Sequence, residues 1–237
     1  DVSVTPDMGF CLSMRGVARE LAHQFGSPLR DPGTELVELP APAVGEPHEC
    51  VVEDLDACDV FTIRTIIGFD PSASSPSWMK QRLILSGMRP VSLAVDVTNY
   101  VMLETGQPLH AFDGGKLQGP IVVRRARPGE TMETLDHVQR QLQSEDLLIT
   151  DDRGGIGLAG IMGGLETEVD ESTTTIVLEA AHFPSRGIAR SSRRHKLSSE
   201  ASRRFERGVD RALPPYASAR AAALLLELGG GSYIGLN

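Results

Sequence analysis

From Gly119 to Phe183 the chain alternates short β-type runs with turn residues: IVVRRAR, ETMETLD, LLITD, GIGLAGIMGG and TTTIVLEAA. Runs of this length and spacing predict antiparallel strands joined by tight turns, in a sheet or sandwich rather than a doubly wound fold. Helical patterns flank this region instead of alternating with it. Before it, CLSMRGVARELAHQFG predicts a helix with Leu12, Val17, Leu21 and Phe25 on one face and Gly26 as its stop. SSPSWMKQRLILSG predicts another, with Ser75 as N-cap, Pro76 at the first helical position, Gly87 as the end signal and Trp78 as a packing anchor. DVFTIRTIIGF has the β-branched content of a strand, and DVTNYVMLETG reads as a short helix closed by Gly106. After the β region, PSRGIARSSRRHK, SSEASRRFERG and PPYASARAAALLLELGGG are helical, the last opened by Pro214 and Pro215. The expected class is α+β, with mixed or antiparallel, sandwich-like sheets flanked by helices.

SPLRDPGTELVELPAPAVGEP is the stretch most rich in Pro and Gly, and it predicts a boundary near residue 45, dividing 1–45 from 46–237. A chain of 237 residues can bury a core without staples. No run approaches the roughly 20 apolar residues of a membrane span. The start, DVSVTPDMG, has no initiator Met and no basic n-region, so it reads as an internal piece of a longer protein and not as a signal peptide. Cys11, Cys50 and Cys58 are odd in number and lack metal-ligand spacing, which fits free thiols in a reducing cytosol. His48 and Cys50 suggest a ligand pair that nothing completes, so no metal is expected.

The formal charge of −9 argues against a general nucleic-acid coat protein. The charge is uneven, however. Between Arg186 and Arg207 stand eight Lys/Arg (186, 190, 193, 194, 196, 203, 204, 207) against Glu200 and Glu206, a balance of 8 − 2 = +6. This island either faces phosphate backbone or pairs with acidic groups elsewhere in the molecule.

Three places invite chemistry. GQPLHAFD fixes His110 between a Pro-X step and Asp-Gly-Gly. GIGLAGIMGG lacks the Lys-Ser/Thr ending of a phosphate loop and sits in a strand-like context, so it reads either as backbone laid open to a ligand or as a tight turn. VLEAAHF puts Glu179 at the end of an apolar strand, where an acid must be solvated, paired or used; His182 is either its partner or a surface histidine. SSEAS reads as a helix start capped by Ser198 or Ser199. Spacing alone yields no triad, carboxylate pair or metal site.

AVDVTNYVMLETGQPLHAFD, AGIMGG, VLEAAHF and SSEASRRFERGVD together resemble the beta subunit of bacterial phenylalanyl-tRNA synthetase, and more narrowly its B3/B4 region, from about residue 46 onward. The first helix, with TPD and CLSMRGVARE, resembles the end of the preceding B1 domain, although Asp-Met-Gly-Phe stands where that family has an Asn-Arg-Pro-Asp-like turn. The resemblance implies a B3/B4-type fold and an editing site that hydrolyses tyrosine wrongly esterified to tRNA(Phe). It implies that Glu179 accepts the tyrosine hydroxyl with help from a backbone N–H of Gly163 or Gly164. Asn99 and His110 would meet the aminoacyl end, with Pro108 fixing the histidine. Ser199 and Ala201 fall on a Thr/Ser-X-Ala motif, Ala201 shaping the wall. Either His110 or a ribose hydroxyl of the substrate would activate the water, without a metal. Arg193, Arg194 and Lys196 would meet the tRNA acceptor end. The same resemblance implies a cytoplasmic heterotetramer of two alpha and two beta subunits, with ATP and magnesium used outside this segment. The alternative is a tRNA-positioning or scaffold domain without catalysis, and a third reading is a free-standing domain acting on another ligand.

Overall fold

The computed structural model describes residues 3–31 and 37–237; residues 32–36 of the Pro/Gly stretch lie outside them, as do the first two. A 3-10 turn (Pro6–Cys11) leads into α1 (Met14–Phe25). There follow β1 (Cys50–Val52), β2 (Val60–Ile67), α2 (Ser77–Leu85), α3 (Leu93–Thr105) and β3 (Leu109–Asp113). The strand-rich region holds β4 (Ile121–Arg125), β5 (Thr131–Glu133), β6 (Gln139–Gln141), β7 (Leu147–Asp151), β8 (Gly154–Leu158), β9 (Met162–Gly163) and β10 (Thr175–His182). The chain closes with α4 (Ser185–His195), α5 (Glu200–Phe205), α6 (Leu213–Gly229) and β11 (Ser232–Leu236).

The strands form a five-stranded sheet in the order β1-β4-β7-β8-β9, a four-stranded sheet in the order β11-β2-β10-β3, and the hairpin β5-β6. All neighbours are antiparallel except β1 with β4. The α+β, sandwich-like expectation is met, for a reason visible in the pleat. Alternate residues of β10 serve two different cores. Val177 and Ala181 join Ile63 and Phe112 against Val123, Ile149, Ile156 and Leu158 of the five-stranded sheet. Ile176 and Leu178 face the other way, onto Val97 and Val101 of α3, Met79 and Leu83 of α2, and Ala217, Ala221 and Leu225 of α6. One four-stranded sheet is therefore buried on both faces, and Glu179 points to the side shared with the second sheet.

Four strands went unforeseen. β1 and β6 are three-residue runs with too few positions to show a period, and β11 follows a triple glycine. β3 is LHAFD itself, the stretch carrying His110, which registers against β10 from Leu109↔Ala180 to Asp113↔Ile176. The cap of α2 also differs from expectation. That helix starts at Ser77 with Pro76 at the N-cap, while Ser75 donates its hydroxyl to Asp96 at 2.6 Å and so ties α2 to the first turn of α3. The apolar face expected on α1 is not buried: Leu21 is 52% and Phe25 74% exposed. What seats α1 is Gly16, where any Cβ would lie 2.0 Å from the Phe10 carbonyl oxygen. Leu12 and Ala43, from before the expected boundary, nonetheless bond to residues beyond it: Arg204 donates to the Leu12 carbonyl at 2.9 and 3.2 Å, and Ala43 N–H donates to Tyr233 O at 2.8 Å. Trp78 packs edge-on to Tyr100 at 5.2 Å and under Arg82, an anchor that remains 41% exposed. Among the described residues no helix is long and apolar enough to cross a membrane.

Candidate functional site

The antiparallel register of β3 and β10 places His110 and Glu179 directly across from each other. Since directly paired residues project to the same side of a sheet, both side chains stand on the face towards the five-stranded sheet. A cavity of about 70 Å³ lies there. β3 contributes Leu109, His110 and Phe112, with Pro108 just before it; β10 contributes Glu179. Gly157, Leu158, Gly160, Ile161, Met162 and Gly163 supply the opposite wall, and Ala201 and Phe205 of α5 close one end. The space equals about two waters at their share of liquid volume.

Both titratable groups are displaced from their ordinary values by the same cause. Glu179 is 6% exposed, makes no ion pair among the described residues, and burial pushes its carboxyl up to about 8. Burial pushes the His110 imidazole down to about 4. Near pH 7 the acid therefore keeps its proton and the imidazole stays neutral, so the cavity is uncharged. The His110 ring stands edge-to-face on Phe112 at 4.5 Å and 75°, and its Nε2 is shielded from solvent without a hydrogen-bond partner. A protonated carboxyl offers one O–H donor and one carbonyl acceptor, and a neutral imidazole likewise offers one of each. This is a small apolar chamber with two convergent, unfilled polar groups.

Glycine is required at one wall. A Cβ on Gly163 would lie 2.5 Å from His110 Cε1 and 2.8 Å from Nε2. Gly164 behaves differently. Its N–H donates to Ile156 O at 2.8 Å, so that amide is committed to the sheet and does not face the cavity. Of the two glycines expected together, only Gly163 lines the cavity.

Two further residues expected together with His110 stand apart from it. Asn99 lies half-buried on α3, whose apolar face packs on the other side of the four-stranded sheet, and it does not line the cavity. The helix delivers the chain to His110 without bringing Asn99 along. Ser199 caps α5: its hydroxyl oxygen accepts from Ser202 N–H at 3.0 Å, and the hydroxyl donates to Ile161 O at 2.7 Å. Those bonds occupy the hydroxyl and anchor the turn that forms the cavity wall, while the cap sets Ala201 facing inward. Ser199 holds the site's geometry from outside it.

Gln107 is a contributor the sequence did not single out. It is fully buried, and its Nε2 donates to Pro108 O and Ala181 O, both at 2.8 Å, which fastens the start of β3 to β10 beside the site. A glutamine in a Gly-Gln-Pro turn ordinarily reads as exposed, and only the neighbouring strand reveals its burial. His182 is neither Glu179's partner nor a surface residue: it pairs with Asp59 at 2.5 Å.

The basic island divides. Arg194 is bound by Asp146 and lies 3.8 Å from Glu145; Arg203 and Arg204 both meet Glu200. Arg193 and Lys196, at the end of α4, are exposed and make no ion pair among the described residues, as is true of Arg186 and Arg190. Asp146, itself fully buried, also accepts from Ser191 at 2.6 Å and meets His195 Nε2 at 2.8 Å. Pairing with acidic groups elsewhere thus accounts for Arg194; Arg203 and Arg204 are held by Glu200 within the island, and Arg186, Arg190, Arg193 and Lys196 stay exposed. Among the described residues no group of three or more His, Cys, Asp or Glu converges as a metal site would.

A family model, the B3/4 domain, matches residues 57–230. The chain is 58% identical over 236 residues to the phenylalanine–tRNA ligase beta subunit of Streptomyces avermitilis, covering 98% of this chain and 28% of that protein. It is 56% identical over 230 residues to the protein of the same name from Thermobifida fusca, covering 97% and 27%. The chain thus spans a little over a quarter of the length of these relatives. Among solved structures, an N-terminal fragment of the phenylalanyl-tRNA synthetase beta subunit from Pyrococcus horikoshii aligns with a TM-score of 0.45 at 16% identity, over 76% of this chain and 54% of that one.

Proposed function

This chain belongs to the B3/4 domain family, and from that premise and the chamber at Glu179 we propose that it edits, hydrolysing tyrosine wrongly esterified to tRNA(Phe) as part of a phenylalanine–tRNA ligase beta subunit. The observation that carries the reading is the buried, unpaired carboxyl of Glu179 set directly across from His110, with glycine as the facing wall. A hydrophobic synthetic pocket rejects an isostere that adds only a hydroxyl by about a hundredfold, so a second site must read that hydroxyl. A neutral carboxyl suits the task. It can accept the phenolic proton through its carbonyl oxygen and donate to the phenolic oxygen, whereas phenylalanine would leave both groups buried and unpaired. The ring enters only if lining side chains move, and Met162, with its flexible thioether, is suited to yield.

In this reading His110 holds the ester or the attacking water by hydrogen bonding, Pro108 and Ala201 shape the walls, and Ser199 braces the turn. Arg193 and Lys196, exposed and without ion pairs among the described residues, meet the phosphates of the acceptor end. The protein acts in the cytoplasm within an assembly of two alpha and two beta subunits, whose other parts use ATP and magnesium.

The test is single-turnover deacylation of tyrosyl- and phenylalanyl-tRNA(Phe) by the wild type, Glu179→Ala and Glu179→Gln. Glu179→Ala should lower the preference for tyrosine by about 1–3 kcal/mol, roughly 5- to 150-fold, because a buried partner is lost. Glu179→Gln, which also offers one donor and one acceptor at the same place, should retain most of it. An unchanged ratio in Glu179→Ala rules out the role of Glu179, and no deacylation by the wild type leaves tRNA positioning as the function.

A further inference from the structure

A cavity larger than the one at Glu179 lies beside α4. A groove of about 410 Å³ opens between α4 and the turn at Asp56 and Ala57, within the range of small-ligand sites. Its floor is apolar, formed by Ala57, Leu147, Ala159 and Ile188. Its α4 rim carries Arg186 and Arg190, one helical turn apart. These two are exposed and without ion pairs among the described residues, while their neighbours Arg194, Arg203 and Arg204 are engaged within the protein.

The remaining rim charges nearly cancel. Arg125 is held by Asp54 at 2.7 Å, and Glu145 has Arg194 at 3.8 Å. Asp56 makes no ion pair among the described residues, so two guanidiniums outweigh one carboxylate. The start of α4 reinforces the sign: its first turn has no acidic residue, and Pro184 at the N-cap provides no side-chain acceptor.

We propose that this groove is a second binding site, for a nucleotide, with its phosphate on Arg186 and Arg190 and its nucleoside over the apolar floor. Guanidinium forks match phosphate oxygens in pairs, which a compact ammonium does not. Inorganic phosphate alone would have no use for the floor, and an apolar ligand none for the arginines. Asp56 supplies a carboxylate able to accept hydrogen bonds from ribose hydroxyls. Ala159 in the groove and Gly160 in the Glu179 chamber are adjacent on one turn, so an RNA strand running along α4 would pass beside the proposed editing site. The groove's chemistry stands without the editing reading.

The experiment is fluorescence anisotropy of the chain with a labelled single-stranded tetraribonucleotide, competed by AMP, adenosine and inorganic phosphate, at several salt concentrations. Binding should weaken with salt, and the double variant Arg186→Glu/Arg190→Glu should lower affinity by about tenfold or more. Gly187→Trp should do so too: it lines the groove at a point where an added Cβ meets nothing within 4 Å, so bulk there fills the groove without disturbing the core. Glu179→Ala should bind as the wild type does, even where it has lost its preference for tyrosine, which separates this site from the editing chamber. AMP should compete better than either adenosine or phosphate. Equal strength of AMP and the oligonucleotide identifies a free nucleotide as the ligand, and a much stronger oligonucleotide identifies an RNA strand. Absent binding, wild-type affinity in both groove variants, or competition by adenosine or phosphate as strong as that of AMP overturns the proposal.

Discussion

At the scale of single residues, His110 is the group whose role the geometry constrains most. An imidazole held down at about 4 is a weak base near pH 7, and its shielded Nε2 has no carboxylate to fix its tautomer. Placement is the role this environment favours. His110→Gln should keep the rate of ester hydrolysis within about tenfold of wild type, whereas a general base would be missed by 10²–10⁴-fold. The wild-type pH–rate profile should show no limb near the ordinary histidine value of 6.5. Single-turnover rates between pH 5 and 8 check both; a limb near 6.5 that vanishes in His110→Gln would establish base catalysis instead. Gly163 offers a second probe. Alanine there thrusts a methyl to 2.5 Å from His110 Cε1, and Phe112 backs the ring, so the imidazole must swing from its place. A displacement of about 1 Å can lower a rate by roughly 10²-fold, and Gly163→Ala should show that loss in the same assay with its circular dichroism unchanged.

At the scale of elements, the site depends on a brace between α5 and the β8–β9 turn. Ser199 joins them, serving as the helix cap and as donor to Ile161 O. Ser199→Ala removes both bonds and should lower stability by about 1–2 kcal/mol in urea unfolding, the upper half of the range for a lost cap. Ser199→Thr keeps the hydroxyl and should restore it. If Ser199 were instead a reacting group, Ser199→Ala would abolish hydrolysis without loss of stability. Element-scale features were unevenly legible in the chain. α3 and α6 announced themselves by their glycine stops, α6 also by its length, and β10 by a long β-branched run. β3 did not, because LHAFD follows a turn and half its faces are filled from a distant strand. Leu21 and Phe25 show the opposite failure: helical spacing marked a face, yet among the described residues these two side chains stay exposed.

At the scale of the molecule, burial of two groups of opposite type makes stability depend on pH in two windows. The folded Glu179 carboxyl holds its proton up to about 8, against 4.5 in an open chain, so the unfolded state releases that proton first and stability falls as pH rises across that span. The folded His110 binds its proton only below about 4, against 6.5 when free, so stability rises with pH between those values. Between about 4.5 and 6.5 the two oppose; from there to about 8 only Glu179 acts. From pH 6.5 to 8 the wild type should lose about 2 kcal/mol relative to Glu179→Gln, a span of 1.5 units at 1.36 kcal/mol each. Chemical denaturation of both proteins at the two pH values measures the difference, and parallel behaviour would mean that Glu179 is ionised in the folded state.

Local chemistry along the chain was enough to establish the α+β class, the helix stops, the candidacy of His110 and Glu179, and, through its ordered motifs, the family. These depend on periodicity, backbone preference and residue type, which neighbours in sequence carry. The pairing of His110 with Glu179 across β3 and β10, the withdrawal of Asn99 and Gly164 from the cavity, the bracing role of Ser199 and the burial of Gln107 belong to the tertiary structure. So does the division of one basic run into arginines tied down by Asp146 and Glu200 and arginines left open along a groove. Each of these depends on which strand or helix lies opposite. Desolvation and hydrogen bonding are settled by atoms a few ångströms away in space that stand far away along the chain, 74 residues in the case of Gln107 and Ala181.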